Sequence, residues 1–409
     1  MTARLFTVRD FTILKKLQSK LNAEAKNNKF EKFFPYMKSL RHCMARSNCG
    51  LGVDVGKTSN GKLALRGITY CHNTWACPSC TPRAMQKLSE KLKAAYTMLK
   101  ARGYEARMIT FTVPHRNRFT NEGLIQTPLE KVLQFLRETF NSFLSGTLKH
   151  VRPKDCYTFQ IFEVTHGFKS GWHPHIHAIY WFKKEEWKAF LEKEDDLINS
   201  WKWHCRKIAD KMFHRGDFNQ VEYEETIGPL EISQDIPVYI SKHVGDVYRY
   251  FNDGLAQEVT SLHVKQAKGG NLTVWQILDK AVNNNDEKYW RLFLEYCKAT
   301  RRIQRWRFKR GFVSEIESYM KEHPAPTISK KKPEEDAATV TQVAWFTPLQ
   351  WNSLNMRCKN FLPLLAFIVT RFDVDTAYKL LCRLCEKYAV QIPLRQNPLR
   401  ANDASAWAA

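Results

Sequence analysis

The side chains with the clearest capacity for chemistry lie between residues 171 and 180, where two histidines flank one apolar residue. Side chains of a β-strand alternate between its faces, so His175 and His177 share one face while Ile176 points to the other. Two neutral imidazoles side by side form half of a binding site for a divalent metal ion. The alternative is an ordinary pair of strand histidines that binds no metal.

A carboxylate is available for the same site in the preceding predicted strand, residues 157–165. Glu163 comes shortly before a predicted turn at 166–171, and antiparallel pairing of the two strands brings it beside the histidines. Two imidazoles and one carboxylate oxygen suit Mg²⁺ or Mn²⁺ and leave coordination positions open. A solvated strand carboxylate is the alternative for Glu163.

A tyrosine and a lysine follow on a predicted helix that begins near Pro237. Tyr239 and Lys242 are three residues apart, so they share one face of that helix. A tyrosine becomes a nucleophile when a nearby cation favours the phenolate and a metal ion polarises the group under attack. The alternative is an amphipathic helix in which Tyr239 is half buried.

Cysteines are concentrated near the N-terminus. The chain contains 11 cysteines and no apolar signal-peptide core after Met1, which predicts reduced thiols or metal ligands in a cytoplasmic protein rather than disulfides. Four thiolates form a closed, tetrahedral zinc site with a structural role. The predicted zinc ligands are Cys49, Cys71, Cys77 and Cys80, and Cys43 or His72 could replace one of them.

The charge of the chain indicates a polyanionic partner. Its 64 lysines and arginines outnumber 41 acidic residues, a formal net charge of +23. Such an excess favours binding to nucleic acid or to an anionic membrane surface. The apolar run at 361–370 is too short to cross a bilayer and contains Pro363. Nucleic acid is therefore the expected partner, and no membrane association is expected.

A basic segment with interleaved aromatic residues extends from residue 301 to residue 310. Basic side chains neutralise phosphates and aromatic rings stack on unpaired bases, so this segment predicts contact with DNA. A solvated basic strand or helix end is the alternative. The residues predicted to contact DNA are Arg301, Arg302, Arg305, Trp306, Arg307, Lys309 and Arg310.

Short motifs occur in a definite order along the chain: Thr-x-Thr-Val-Pro at 110–114, Glu-Val-Thr at 163–165, His-Pro-His-Ile-His at 173–177 and Tyr-x-x-Lys at 239–242. Together they resemble the rolling-circle plasmid replication initiators, or Rep proteins, of the HUH endonuclease superfamily. The resemblance covers roughly residues 45–312. It implies an α+β fold in which helices flank a central antiparallel β-sheet, with metal-binding histidines on a central strand and a catalytic tyrosine on a nearby helix.

The resemblance also implies roles for individual residues. His175 and His177 match the metal-binding pair, and Glu163 matches the third ligand. Tyr239 matches the nucleophile, and Lys242 matches a basic residue that helps to place the phosphate or the tyrosine. The implied reaction is a transesterification in which the tyrosine attacks a DNA phosphodiester, keeps the 5′-phosphate and leaves a 3′-OH that primes a polymerase.

The partners implied are single-stranded and origin DNA, with a host helicase and a DNA polymerase, and a homodimer is left open. Single-strand transposases and relaxases of other mobile elements use the same chemistry and are the nearest alternative. A further alternative is a non-catalytic, zinc-containing DNA-binding protein on the same scaffold. Covalent attachment to cleaved DNA separates the enzymes from the binding protein.

Some members of the family carry a carboxylate four residues before the tyrosine, as a base for a later hydrolytic step. Asp235 has this position here. An N-cap role for Asp235 is the alternative, because Pro237 marks the start of the helix. Glu231 is a second candidate for the base.

Composition and motif positions predict five regions along the chain. The linker among them is recognised by its prolines and its charge runs. The regions are a basic helical N-terminal segment (1–48), a cysteine-rich zinc-knuckle segment with a basic helix (49–103), a nuclease domain with a basic extension (104–321), the linker (322–342) and a small helical C-terminal module (343–409).

Overall fold

The computed structural model is an α+β protein in which helices flank antiparallel β-sheets, as the sequence predicts. None of the described helices has both the length and the apolar character that a membrane span requires. The structure describes residues 8–26, 37–47, 52–59, 61–113, 118–120, 123–125, 127–167, 171–212, 231–232, 271–323 and 340–396.

Helices and strands are numbered here along the chain. The helices are α1 (Val8–Lys26), α2 (Lys38–Arg41), α3 (Cys80–Ala101), α4 (Leu129–Phe143), a π-helix (Leu144–Leu148), α5 (Lys149–Val151), α6 (Lys184–Leu191), α7 (Glu194–Met212), α8 (Val274–Asn283), α9 (Glu287–Thr300), α10 (Phe312–Glu322), α11 (Pro348–Arg357), α12 (Phe361–Arg371) and α13 (Val374–Lys387). The strands are β1 (Val53–Thr58), β2 (Leu63–Arg66), β3 (Tyr104–Thr112), β4 (Arg118–Thr120), β5 (Gly123–Ile125), β6 (Tyr157–Gly167), β7 (Gly171–Lys183), β8 (Glu231–Ile232), β9 (Leu272–Thr273), β10 (Trp306–Phe308) and β11 (Val340–Phe346).

The chain forms two compact units that are not the predicted regions. The cysteine unit comprises Met1–Arg83, Asp279–Asp286 and Ala325–Ala409. The histidine unit comprises Ala84–Leu278 and Glu287–Pro324. Each unit therefore collects segments that are far apart in the sequence.

The cysteine unit is built around a three-stranded antiparallel sheet of order β11-β1-β2. Its strand β11 comes from the C-terminal part of the chain and pairs with β1 from Val53↔Phe346 to Thr58↔Val340. Helices α1 and α12 pack against each other beside this sheet. The turn after β2 needs a glycine, because a Cβ at Gly67 (φ +81°) would collide with the carbonyl oxygen of Gly52.

The predicted C-terminal module, residues 343–409, is therefore not a separate helical module. Residues 340–342 of the predicted linker belong to β11, and Glu322 ends α10. The remaining linker residues from 324 onward lie outside the described part of the chain. If β11 did not join a sheet, its backbone N–H and C=O groups would lack hydrogen-bond partners. Pairing with β1 supplies these partners and stabilises both segments.

The histidine unit is built around a six-stranded antiparallel sheet. Its strand order is β10-β6-β7-β3-β8, with β9 also paired to β6. Strands β6 and β7 form the predicted hairpin, whose register runs from Tyr157↔Trp181 to Gly167↔Gly171. This long hairpin fixes the relative positions of Glu163 on β6 and of His175 and His177 on β7.

Among the described residues, helices pack against both faces of this sheet. The face that carries Ile176 and Ala178 packs against α4, α6 and α7. The opposite face packs against α3 and α10 where it carries Ile179 and Trp181. His175 and His177 continue this second face beyond that apolar cluster, as the alternation of a strand requires.

After β7 the chain forms two helices, α6 and α7, separated by Glu192 and Lys193. Acidic residues occupy the first turn of α7. Their charge stabilises a new helix N-terminus through the helix dipole. The break allows α6 and α7 to place separate apolar side chains on the same face of the sheet.

Candidate functional site

The register of the β6–β7 hairpin brings the predicted metal ligands together. Glu163 lies directly opposite His175, and His177 lies opposite Ile161. Glu163 and His177 are thus diagonal neighbours on one face of the sheet, close enough for their side chains to meet. Strand β3 completes the row, because its Thr110 pairs with His177.

The His177 imidazole is held on both sides. Its Nε2 lies 2.8 Å from Glu163 Oε2, and its Nδ1 lies 3.0 Å from Thr110 Oγ1. The side chains of His177 and Glu163 retain 17% and 19% of their exposure, so both are sheltered but open to solvent. A hydrogen bond between one ring nitrogen and a hydroxyl fixes the orientation of the imidazole. The other ring nitrogen then points in a fixed direction toward a ligand.

His175 belongs to the same row but makes a different contact. Its Nε2 lies 2.6 Å from Nδ1 of His173, and the two ring centroids are 4.2 Å apart. The ring centroids of His175 and His177 are 6.0 Å apart, with an angle of 18° between the planes. Within the described residues, His175, His177 and Glu163 do not bring their ligand atoms within 4.8 Å of one another. A metal ion at this site stays a prediction.

The chemistry of the row nevertheless fits a divalent ion. Two ligand atoms at right angles, each roughly 2.1 Å from a metal ion, are about 3 Å apart. The 2.8 Å separation of His177 Nε2 and Glu163 Oε2 matches this spacing. If both atoms bound an ion, Nδ1 of His177 would carry the proton and donate it to the Thr110 hydroxyl.

The predicted nucleophile and its neighbours lie outside the described residues. This applies to Tyr239, Lys242 and Asp235. Only the strand that precedes them, β8, is described, and in it Glu231 pairs with Thr110. The backbone of Glu231 therefore lies two strands away from that of His177, at the same level of the sheet.

The basic segment at 301–310 is organised differently from the prediction. Arg305 is buried, and burial lowers the pKa of its guanidinium while Tyr296 and Glu163 oppose this shift. Trp306 packs against the apolar cluster under α3 and α10, together with Phe308. These side chains are therefore placed for packing rather than for stacking on DNA bases.

The physical reason is that residues 306–308 form an edge strand. Its alternation places two aromatic residues on the core face and Arg307 on the opposite side. The sequence contains this signal, since Trp306, Arg307 and Phe308 alternate apolar and charged side chains. The exposed members of the predicted DNA-contacting set are Arg301, Arg302, Arg307, Lys309 and Arg310.

The cysteine unit contains a second candidate site. Within the described residues, it is the one group of three or more metal-ligating side chains whose ligand atoms all lie within 4.8 Å of one another, and it consists of Cys43, Cys71, Cys77 and Cys80. Cys80 Sγ lies 3.6 Å from the Sγ atoms of both Cys43 and Cys71. Sulfur atoms bound tetrahedrally at ~2.3 Å from Zn²⁺ are about 3.8 Å apart, so the cluster fits zinc.

The fourth thiol of this cluster is Cys43, which the sequence offered only as a replacement. Cys49, the predicted ligand, lies outside the described residues. His72, the other replacement, stays outside the cluster, and its backbone contacts the Cys80 thiol instead. Pairing of β1 and β2 returns the chain from residue 66 toward residue 47, where Ser47 bridges to Ile68, and this brings Cys43 near the knuckle.

Local hydrogen bonds shape the knuckle. Asn73 Oδ1 accepts from the backbone N–H groups of Trp75 and Ala76, at 2.9 and 2.8 Å. The backbone N–H of Cys80 points to Cys77 Sγ at 3.4 Å. An asparagine turn followed by the first turn of α3 thus aims two thiols at one point.

Burial raises the pKa of the Cys77 thiol. At Cys80 the pKa is lowered instead, well below the usual thiol value, because the Cys80 sulfur accepts hydrogen bonds from the other thiols. A buried group of thiols gives up its protons together only when a cation compensates the charge. The cluster could therefore hold a Zn²⁺ ion with a structural role, since it has no open coordination position.

Two curated relatives from Streptomyces resemble the chain. One is named "Protein rep", from Streptomyces lividans, and is 26% identical over 277 residues, which is 56% of this chain and 57% of the relative. The other is named "Neomycin resistance protein", from Streptomyces cyanogenus, and is 27% identical over 147 residues, 31% of this chain and 34% of the relative. The chain thus spans about half and a third of their lengths. No family model and no solved structure matches it.

Proposed function

We propose that this protein is a replication initiator that nicks and rejoins single-stranded DNA through a covalent tyrosine intermediate. The observation that supports it most is the row of His175, His177 and Glu163 on one face of the sheet. The relative named "Protein rep" supports a role in replication. The net charge of +23 supports a DNA partner.

In the proposed reaction, the hydroxyl oxygen of Tyr239 attacks a DNA phosphorus in line with the departing 3′ oxygen. The new bond joins Tyr239 to the 5′-phosphate, and the P–O3′ bond breaks. The tyrosine proton leaves to a base or to solvent, and the 3′ oxygen takes up a proton to become a primer hydroxyl. A divalent ion in the row would supply a positive charge for the crowded phosphate oxygens.

The chain's own residues prepare this step. Thr110 fixes the ring plane of His177, and Glu163 meets its Nε2 atom. Lys242, three residues after Tyr239 in the sequence, is proposed to favour the phenolate and to place the phosphate. Strands are about 4.8 Å apart, so Glu231 lies ~10 Å from His177, and an eight-residue segment can extend roughly 26 Å. Tyr239 is therefore within reach of the row.

The direct test is formation of a covalent adduct. Incubation with Mn²⁺ and a random pool of single-stranded DNA, followed by sequencing of the attached strands, should reveal one preferred cleavage site. Tyr239→Phe should abolish the adduct and leave DNA affinity nearly unchanged, because it removes little besides the nucleophilic oxygen. Tyr248→Phe and Tyr250→Phe are the matched controls, and loss of the adduct in one of these variants alone would move the nucleophile there.

A second experiment addresses how the reaction ends. If Asp235 is the base for a hydrolytic step, Asp235→Asn should nick normally and accumulate covalent product. If Asp235 only caps the helix, the same change should be nearly silent, because asparagine is an equally good N-cap. Normal turnover of this variant would transfer the role to Glu231 or to a second subunit of a homodimer.

The same chemistry serves single-strand transposases and relaxases, and mapping the preferred DNA site to an origin or to an element end distinguishes these functions. A non-catalytic DNA-binding protein would form no adduct. In the proposed role, the protein acts in the cytoplasm and passes its 3′-OH to a host polymerase after a host helicase has opened the strands. Binding to origin DNA should weaken steeply with salt, because counterions are released from the phosphates.

A further inference from the structure

A pocket of about 530 Å³ opens on the helical side of the histidine unit, between the π-helix and α7. These helices cover the sheet face that carries Ile176, opposite the face of His177. Pockets of roughly 300–1,000 Å³ bind small molecules or parts of larger ones. The residues that line it include Ser142, Ser145, Thr147, Trp203, His204 and Lys207.

The wall of this pocket is built around one buried histidine. His204 is 4% exposed, and its Nδ1 lies 2.8 Å from Ser142 Oγ while its Nε2 lies 3.2 Å from Thr147 Oγ1. The Thr147 hydroxyl also bonds to the Ser200 hydroxyl. Burial, and then Lys207, lower the pKa of His204, which favours the neutral form of its ring. The positive charge of the pocket therefore comes from Lys207.

The π-helix brings the hydroxyl groups into this wall. A Cβ at Gly146 would lie 3.1 Å from His204 Cε1, so glycine permits the close approach of the ring. An extra residue in a helical turn is a costly feature that recurs at functional sites. Here it turns Ser145 and Thr147 toward the pocket.

The mouth of the pocket combines an exposed aromatic ring with a cation. The Trp203 side chain is 54% exposed, although large aromatic residues are normally buried. Lys207 Nζ lies 4.9 Å from the centroid of the Trp203 ring. Within the described residues, no acidic side chain lines the pocket. An indole for stacking and an ammonium group beside it form the chemistry that recognises a nucleotide.

We infer that this pocket binds one nucleotide of single-stranded DNA, with its base stacked on Trp203 and its phosphate at Lys207. The choice of DNA as the ligand rests on the proposed function. A contact on this side of the unit would hold a strand at a distance from the metal row. It would thus bind the displaced strand without competing for the cleavage site.

The test measures the affinity of a labelled short oligothymidylate by fluorescence anisotropy, with chelator present and no divalent metal. Trp203→Ala and Lys207→Ala should each weaken binding about tenfold, the usual loss for one stacked base. Trp203→Phe keeps an aromatic ring and should retain most of the affinity. Thermal unfolding of each variant, compared with the unsubstituted protein, shows whether the fold is kept.

The matched control is Lys211→Ala, one turn further along α7. Lys211 is 75% exposed and lies 3.9 Å from Glu138, outside the pocket. Its loss removes the same charge and should change affinity by less than twofold, since a surface pair contributes little. Equal losses in Lys207→Ala and Lys211→Ala would overturn the inference, because the effect would then be general electrostatics.

Other results separate this inference from the proposed function. Unchanged affinity in Trp203→Ala overturns the pocket assignment, whatever the nicking activity. Binding of thymidine monophosphate as tightly as the oligonucleotide overturns the assignment to a DNA strand. If no protein tested forms a covalent adduct but binding still depends on Trp203, the proposed nicking activity is refuted. The assignment of the pocket as a nucleotide site then still holds.

Discussion

The cysteine cluster and the histidine row differ in how completely the folded chain assembles them. In the cluster, Cys80 Sγ lies 3.6 Å from two other sulfurs, and the ligand atoms of the four thiols all lie within 4.8 Å. In the row, His177 contacts Glu163 and His175 contacts His173, and the ligand atoms of His175, His177 and Glu163 do not all lie within 4.8 Å of one another. One site is complete within the chain, and the other is partly assembled.

The difference matches two kinds of metal chemistry. A structural zinc site is closed, because its ligands stabilise the fold and exclude other groups. A catalytic site needs open positions and ligands that share an ion with a substrate. The row also lies where the sheet face extends past the apolar cluster under α3 and α10. His177 and Glu163 keep 17% and 19% of their side-chain exposure, whereas Cys77 is fully buried.

The largest expected effect comes from breaking the closed site. Cys77→Ser should remove a bound zinc ion and unfold the cysteine unit at moderate temperature, because structural zinc contributes roughly 10–16 kcal/mol of apparent binding free energy. The measurement is zinc content by elemental analysis together with thermal unfolding. Cys382→Ser, on α13 and outside the cluster, is the control and should keep the zinc. Freshly purified protein without zinc would contradict this assignment.

In the proposed function, substitutions in the row of His175, His177 and Glu163 should abolish cleavage and leave the fold intact. His175→Ala and His177→Ala should lose metal-dependent cleavage, and Glu163→Ala should bind Mn²⁺ about 10–100-fold more weakly. Adduct formation across a Mn²⁺ titration measures both effects. His150→Ala removes an exposed histidine of the same unit and should behave like the unsubstituted protein. Full cleavage in excess chelator would contradict the metal assignment.

A pH experiment extends the comparison to the stability of the sheet near the row. It tests whether the buried side chain of His166 makes the folded state sensitive to acid. Burial, and then Lys288, lower the pKa of His166 to about 4. The unfolded chain binds the proton with a pKa of about 6.5, so the folded state loses up to roughly 3 kcal/mol as pH falls from 6.5 to 4. His166→Phe keeps a ring against Trp172 and should lose less stability over this range. Equal acid sensitivity of the two proteins in denaturant unfolding would show that His166 is not responsible.

The smallest expected effect concerns the support of His177. Thr110→Val removes the hydroxyl at 3.0 Å from Nδ1 and should weaken Mn²⁺ binding about tenfold, the lower end of the losses seen for such supporting groups. The control is Thr112→Val on the same face of β3, since the Thr112 hydroxyl has no hydrogen-bond partner within the described residues. Equal affinities in the two variants would show that the row does not depend on this contact.

Elements whose signal is local could be predicted from the sequence alone. The hairpin β6–β7, the shared face of His175 and His177 and the helix α3 follow from alternation or helical periodicity within a few residues. The resemblance of the motifs indicated an antiparallel sheet flanked by helices, and the structure confirms this class of fold. The roles predicted for Tyr239, Lys242 and Asp235 stay predictions.

Which distant segments meet depends on the tertiary fold. Pairing of β11 with β1 places the C-terminal region in the cysteine unit, and the return of the chain after β2 brings Cys43 to the knuckle. Burial of Arg305 likewise depends on the pairing of the segment around it with β6. Side-chain periodicity specifies which face of an element is apolar but not which partner covers it. That choice is made by packing and backbone pairing over long sequence separations.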